Sequence, residues 1–145
     1  MKKQPLEPGF ELVSYHTMTS YELDSFGHVN NAVFLNYLEK ARCDFMTLKG
    51  LRFDDFFKWR RYPVVTKASL EFKRPALADD KLKITGLITD HTQTTFTLQY
   101  EIINQATGHL ILTGETIHVF VNDKNRPSRI PEEFFEKFIA EQRKK

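Results

Sequence analysis

The clearest periodic pattern in the chain is an apolar stripe that begins shortly after residue 30. Apolar side chains recur there every three or four residues, at Phe34, Leu38, Ala41, Phe45 and Leu48. This spacing places them on one face of an α-helix. Asn30 or Asn31 can accept hydrogen bonds from the first free amides, and Gly50 suits the position after the last turn. We therefore predict a largely buried helix of about 17–18 residues, roughly 26 Å long.

Elsewhere the pattern changes to the two-residue period of β-strands. Alternating residues predict a first strand over about residues 10–19, before the helix. After the helix, four more strands are predicted, over residues 64–72, 82–88, 96–102 and 109–121. In the first of these, one face is expected to carry Val64, Thr66, Ala68, Leu70 and Phe72. The last is apolar on both faces, which predicts an interior strand, and residues 104–108 predict a hairpin turn before it.

Two shorter segments have helical character. Residues 53–61 are aromatic and charged, and predict a short helical turn. Near the C-terminus, Pro131 marks the start of a helix predicted over about residues 131–143. The apolar stripe of this second helix consists of Phe134, Phe135, Phe138 and Ile139.

The order of the elements predicts an α+β fold. One strand and a long helix are followed by strands joined by short turns, which is typical of an antiparallel sheet with helices on one face. Only one sheet is available to cover the long helix, so we expect five antiparallel strands to wrap around it. Gly86 and Gly114 interrupt two strands and are expected to be bend points. Residues 1–145 are predicted to form a single domain, with its core over about residues 10–122.

Length and charge narrow the class of protein. The chain has 145 residues, the size of one domain, and needs no disulfide or metal to form a core. Lys and Arg number 21 and Asp and Glu number 19, a balance that argues against a nucleic-acid-binding protein. Apolar runs are too short to cross a membrane, and no apolar leader follows Met1. With one cysteine, Cys43, these features predict a cytoplasmic protein.

The residues before the long helix are the best candidate for chemistry. Asp24 lies in a loop a few residues before the predicted helix N-terminus, whose free amides carry partial positive charge. A carboxylate facing an oxyanion-binding site is the minimum required for acyl transfer. A purely structural role stays open, in which Asp24 caps a turn and Asn30 or Asn31 caps the helix. Cys43 is expected to pack beside the apolar stripe, and no metal site is predicted.

These residues resemble a known signature. It belongs to acyl-CoA thioesterases of the 4-hydroxybenzoyl-CoA thioesterase type, and here reads Asp24-x-x-Gly27-His28-Val29-Asn30-Asn31, then Tyr37-x-Glu39-x-x-Arg42. A second stretch of that family is similar to Phe72-Lys73-Arg74-Pro75-Ala76, followed by Asp80 and Leu82. The resemblance covers roughly residues 10–122. It implies the hotdog fold, in which a sheet wraps around a central helix.

The resemblance also implies catalytic roles. Asp24 would act as nucleophile or general base on a thioester, and the position of Asn31 would polarise the thioester carbonyl. In related branches that have a histidine in the site, this histidine has a catalytic part, and His28 would take that part here. The reaction implied is hydrolysis of an acyl-CoA or acyl-carrier-protein thioester without metal or organic cofactor. With asparagine at position 31, the sequence is most similar to the long-chain acyl-CoA branch and the plant-type acyl-carrier-protein thioesterases.

Substrate contacts and assembly follow as further expectations. Gly27, Val29 and Asn30 are expected to border the substrate. Lys73 and Arg74 could hold coenzyme phosphates, and the other basic candidates are Arg60, Arg61, Lys124 and Arg126. No nucleic-acid or membrane partner is expected. An unpaired sheet edge is often covered by association, so we expect a homodimer or homotetramer with the active site between protomers.

Three alternatives stay open. Glu39 and Arg42, three apart on the helix, can pair on one face, and Glu39 is the second candidate for the catalytic carboxylate. An enoyl-thioester hydratase of the same fold would have His five residues after Asp, whereas His28 follows Asp24 by four. A hotdog protein that binds acyl-CoA without catalysis is the third.

Overall fold

The computed structural model describes residues 12–18, 31–77 and 79–140, and of Asn31 and Ala32 the backbone only. Among these residues no helix is long and apolar enough to span a membrane. The elements in chain order are β1 (Leu12–Thr17), α1 (Asn31–Leu48), α2 (Phe53–Trp59), β2 (Arg61–Phe72), β3 (Lys81–His91), β4 (Thr95–Asn104), β5 (Leu110–Asn122) and α3 (Glu132–Phe134), which continues as a π-helical segment (Phe135–Ala140).

Helix α1 has the predicted boundaries. It begins at Asn31, and Gly50 follows its end with φ of 79°, a left-handed conformation that glycine adopts without strain. The amide of Gly50 donates to the carbonyl of Thr47 at 3.0 Å, and that of Leu51 donates to the carbonyl of Met46 at 2.9 Å. These two bonds form a Schellman motif, which satisfies carbonyls that the helix end leaves free.

The predicted apolar stripe of α1 is confirmed over three of its turns. Phe34, Leu38, Ala41 and Phe45 are buried against the sheet. The prediction is wrong for Leu48, whose side chain is 57% exposed. Because the chain turns at Gly50 and brings Leu51 into the core, Leu51 takes the buried position at this end of the helix.

The described strands form one antiparallel sheet of five strands in the order β1-β3-β4-β5-β2. The predicted fold class is therefore confirmed, and β5 is an interior strand as expected. β1 and β2 are the two edges, and most of the 12 residues of β2 are exposed. The predicted face of β2 is wrong at its first half. A β-bulge between Val65 and Lys67 inserts Thr66, so Val65, and not Val64, shares the inner face with Ala68.

The two strand glycines let the sheet approach α1 closely. A Cβ atom at Gly86 would lie 2.5 Å from the ring of Phe45, and one at Gly114 would lie 3.0 Å from Leu38. Strand pairing continues in register through both glycines, and the register shifts lie elsewhere, one of them after Ile88. The glycines therefore make room for helix side chains, and the predicted bend points are not where the pairing is irregular.

The C-terminal segment closes one end of the core. The predicted helix is confirmed as one short α-helical turn and the π-helical segment to Ala140, and residues 141–143 lie outside the described residues. Phe134 and Phe138 are fully buried. The ring of Phe134 lies 4.9 Å from that of Phe120, edge to face, and 5.4 Å from the tilted ring of Phe96, so the segment closes the core with packed aromatic rings.

Candidate active site

Most of the predicted catalytic segment lies outside the described residues. This holds for Asp24, Gly27, His28, Val29 and Asn30. Asn31 is the first residue of α1, and its backbone is described. The first four amides of an α-helix have no partner within it and carry partial positive charge. The N-terminus of α1 therefore lies at the position predicted to hold the oxyanion.

Aromatic side chains surround the first turns of α1. The ring of Phe34 lies 5.6 Å from that of Phe72 at the end of β2, and 5.5 Å from that of Tyr37. Tyr37 in turn lies 4.2 Å from the ring of His16 on β1. Phe34 and Tyr37 are buried, whereas Phe72 remains 44% exposed. An apolar surface at the end of β2 therefore lies beside the start of the helix. This surface suits an apolar acyl group more than a charged group.

Lys73 and Arg74 follow directly after Phe72 and so lie near the same end of α1. Both backbone amides donate to the carbonyl of Ile111, at 2.8 and 3.1 Å, which fixes the chain as it leaves the sheet. Both side chains are exposed. Lys73 Nζ pairs with the carboxylate of Glu71. Among described residues Arg74 has no side-chain partner, so its guanidinium is the freer of the two cations.

A cavity of about 310 Å³ lies between α1, α2 and the start of β2. We call it the Arg42 cavity; its walls include Glu39, Arg42, Met46, Phe53, Phe57 and Tyr62. Cys43 also contacts this space, and burial raises the pKa of its thiol despite the nearby guanidinium of Arg42. A thiol that stays protonated is a poor nucleophile, in keeping with the predicted packing role of Cys43.

Glu39 and Arg42 both border the Arg42 cavity without pairing. The predicted ion pair between them is not formed, and among described residues Arg42 has no carboxylate partner. The guanidinium of Arg42 instead lies near Tyr100, on the sheet behind it, and its charge acts on the Tyr100 hydroxyl. The helix face therefore presents a partly buried cation to the cavity.

A buried polar chain continues from Arg42 into the core. It consists of Arg42, Tyr100, Thr116 and His118. Tyr100 Oη lies 2.7 Å from Thr116 Oγ1, which lies 2.8 Å from His118 Nε2. Burial, assisted by the charge of Arg42, lowers the pKa of His118 to about 3, so its imidazole is neutral at physiological pH. In the described part of the structure His118 Nδ1 has no hydrogen-bond partner.

This polar chain was not predicted from the sequence. Its signal was present in the predicted interior strand, where Thr116 and His118 are two residues apart and so share a face. The register pairs Tyr100 of β4 with Gly114, two residues before Thr116 on the same face of β5. Polar residues that face inward from an otherwise apolar strand indicate a buried hydrogen-bond network.

The chain is similar to several proteins named as thioesterases. It is 29% identical over 119 residues to the chloroplastic acyl-acyl carrier protein thioesterase ATL3 of Arabidopsis thaliana, covering 82% of this chain and 63% of the relative. It is 40% identical over 70 residues to the long-chain acyl-CoA thioesterase FadM of Escherichia coli, covering 46% of this chain and 49% of the relative. The chain thus spans about half to just under two thirds of these relatives.

Solved structures share the architecture. The probable thioesterase YbaW of Escherichia coli superposes with a TM-score of 0.74 at 26% identity, over 90% of this chain and 98% of that one. A 1,4-dihydroxy-2-naphthoyl-CoA thioesterase of Synechocystis superposes with a TM-score of 0.83 at 19% identity, over 90% and 96%. The sheet around α1 is therefore the expected hotdog fold. The profile of the thioesterase-like superfamily matches residues 18–138, and the chain belongs to that superfamily.

Proposed function

We propose that the protein hydrolyses an acyl thioester to a free carboxylic acid and a thiol. The observation that carries this proposal is the superfamily match over residues 18–138, which includes Asp24 and the start of α1 at Asn31. The aromatic surface at Phe34 and Phe72 supports an acyl group beside that helix start.

In the proposed reaction Asp24 supplies the carboxylate. It either takes a proton from the attacking water or attacks the thioester carbon itself, and water then cleaves the resulting anhydride. In both versions the carbonyl oxygen becomes an oxyanion, which the amides at the start of α1 near Asn31 stabilise. The carbon–sulfur bond breaks and the thiol leaves with a proton. Gly27, Val29 and Asn30 border the substrate, and His28 assists near the carboxylate.

A thiol-release assay on the purified chain tests the activity. Acyl-CoA substrates of short, medium and long chain, and the corresponding acyl-carrier-protein thioesters, are compared at equal concentration. Release of thiol above the uncatalysed rate supports hydrolysis, and the preferred carrier and chain length follow from the same panel. Acyl-CoA binding without thiol release would instead support a binding protein without catalysis.

Coenzyme A, if it is the carrier, is proposed to bring its phosphates to Arg74 and Lys73. Arg74 has no other side-chain partner among described residues, so its five donors are available for a phosphate. Lys73 is already paired with the carboxylate of Glu71, which offsets part of its charge. Arg74 is therefore expected to contribute more than Lys73.

Arg74→Glu is expected to raise KM for acyl-CoA more than it lowers kcat. A phosphate contact far from the reacting carbon is made equally in the ground state and the transition state. Steady-state kinetics of the variant measure the split. Arg129→Glu, which reverses another exposed arginine, is the matched control and should leave KM unchanged. An unaltered KM in Arg74→Glu would remove Arg74 from the phosphate site.

A homodimer is proposed from the exposed edge of β2. This strand has 12 residues, and its side chains Val64 and Val65 are apolar and 39% and 46% exposed. Such an edge presents free backbone donors and acceptors that a second copy can pair with. Antiparallel pairing of two β2 strands would bring the Arg61 end of one copy beside the Phe72 end of the other, and so place the site between protomers.

Val65→Lys is expected to weaken this self-association, because a lysine on an edge strand opposes strand pairing. Sedimentation of the parent should give twice the chain mass of 17.1 kDa, and the variant should shift toward 17.1 kDa at the same concentration. Leu48→Lys, at an exposed apolar position on α1, controls for the added charge. A parent chain that is monomeric and fully active at micromolar concentration would rule the dimer out.

A further inference from the structure

The Arg42 cavity is bordered by a partly buried cation. A guanidinium has five N–H donors, and that of Arg42 lies near the hydroxyl of Tyr100. Among described residues no carboxylate neutralises it, although Glu39 lies on the same cavity wall. A partly buried guanidinium facing an open space is a receptor for a planar anion, because its fork matches the two oxygens of a carboxylate.

The rest of the cavity is suited to an apolar group. Phe53 and Phe57 are 69% and 66% exposed and flank the space, with the ring of Tyr62 5.7 Å from that of Phe57. Met46 adds a flexible apolar wall on α1. The volume of about 310 Å³ leaves room for the short apolar tail of a molecule such as octanoate.

The buried polar chain fixes the cation in place. Tyr100 is fully buried and is held by Thr116, which is held in turn by His118. Burying three polar side chains in the core is costly, and His118 Nδ1, which has no partner in the described part of the chain, adds to the cost. Arg42 is the member of the buried polar chain that borders the cavity. The polar chain therefore positions one guanidinium at the cavity wall.

We propose that the Arg42 cavity binds a carboxylate with an apolar tail. The carboxylate pairs with Arg42, which Tyr100 positions, and the tail packs against Phe53 and Phe57. The carboxylate has two possible sources, both resting on the proposed function. It is either the free acid that hydrolysis releases or the distal carboxylate of a dicarboxylic acyl group.

Calorimetric titration of the whole chain with octanoate and octanol tests the binding site directly. The parent is expected to bind octanoate more tightly than octanol. Arg42→Met is expected to weaken octanoate about ten- to hundredfold, as for a lost hydrogen-bonded charge pair, and to leave octanol unchanged. Arg129→Met, at an exposed arginine outside the cavity, should bind both ligands as the parent does. Equal octanoate affinity in the parent and Arg42→Met would overturn the proposal.

Two further variants test how other side chains at the cavity contribute to octanoate binding. Tyr100→Phe keeps the buried ring and removes the hydroxyl, so octanoate should weaken severalfold, and the lost hydrogen bond to Thr116 should lower the unfolding temperature by about a few degrees. Glu39→Gln removes a negative charge from the cavity wall, so octanoate should bind more tightly and octanol equally. An octanoate affinity that Tyr100→Phe leaves unchanged would remove Tyr100 from the proposal.

The source of the carboxylate is distinguished by kinetics. Inhibition of hydrolysis by octanoate that Arg42→Met relieves identifies the released acid. A preference for dodecanedioyl-CoA over dodecanoyl-CoA that Arg42→Met abolishes identifies the distal carboxylate. If the chain hydrolyses no thioester, the titration still decides whether the cavity binds a carboxylate, so failure of the proposed function and failure of this inference remain distinct.

Discussion

Asp24→Asn is expected to lower kcat for acyl-thioester hydrolysis by about 10²–10⁴-fold, the usual loss on removing a general base. This corresponds to roughly 3–5.5 kcal/mol of barrier. Asparagine keeps the shape of the side chain and its ability to cap a turn, but it cannot accept a proton or attack as a carboxylate. KM and the folded state should therefore change little, and the loss should fall on the chemical step.

Single-turnover thioester cleavage and thermal unfolding, measured side by side, separate catalysis from structure. Asp54→Asn, at an exposed aspartate on α2, controls for the loss of one negative charge. Cleavage within about threefold of the parent, well under one decade, would show that Asp24 is not the catalytic carboxylate. Glu39→Gln would then be the variant to test, since Glu39 is exposed on α1 and borders the Arg42 cavity.

Phe45→Ala is expected to lower the free energy of unfolding by about 3–5 kcal/mol, as for other fully buried phenylalanines. Its ring lies 6.2 Å from that of Tyr100 and covers Gly86, so truncation opens a void between α1 and the sheet. Chemical denaturation measures the loss. Leu48→Ala, at an exposed position on the same helix, should change stability by less than about 0.5 kcal/mol.

Gly86→Ala provides the matching half of a double-mutant cycle. A Cβ at Gly86 would lie 2.5 Å from the Phe45 ring, so the single variant should cost about 1–3 kcal/mol through overpacking. In the Phe45→Ala background the added methyl enters the void, and its cost should largely disappear. Strictly additive losses in the double variant would mean that the two residues do not press on each other, contrary to the structure.

The helices and most strands were predictable because their signals are local. The spacing of Phe34, Leu38, Ala41 and Phe45 defines a face of α1, and Gly50 alone marks its end. The same local reasoning failed at Leu48, because only the turn into Leu51 decides which of the two is buried. Element type therefore follows from sequence periodicity, whereas burial at an element's end depends on where the chain goes next.

Features that depend on pairing between distant strands were not predictable. The bulge at Thr66 leaves no trace in the alternating pattern of β2 and is defined only by its pairing with β5. The Arg42 cavity likewise requires α1, α2 and β2 to meet. For the candidate site, sequence analysis located the start of α1 at Asn31 correctly, and the roles of Asp24 and His28 stay predictions.

The order of strands in the sheet has a consequence for how the chain is made on the ribosome. β2 is synthesised before β3, yet among the described strands it pairs only with β5, where Arg61 pairs with Asn122 and Phe72 with Leu112. β1 likewise waits for β3. The meander of β3, β4 and β5 closes by short turns, but β2 gains its partner only once β5 has emerged. We therefore expect the apolar face of α1 to remain uncovered until β5 has been synthesised, with native assembly following after that point.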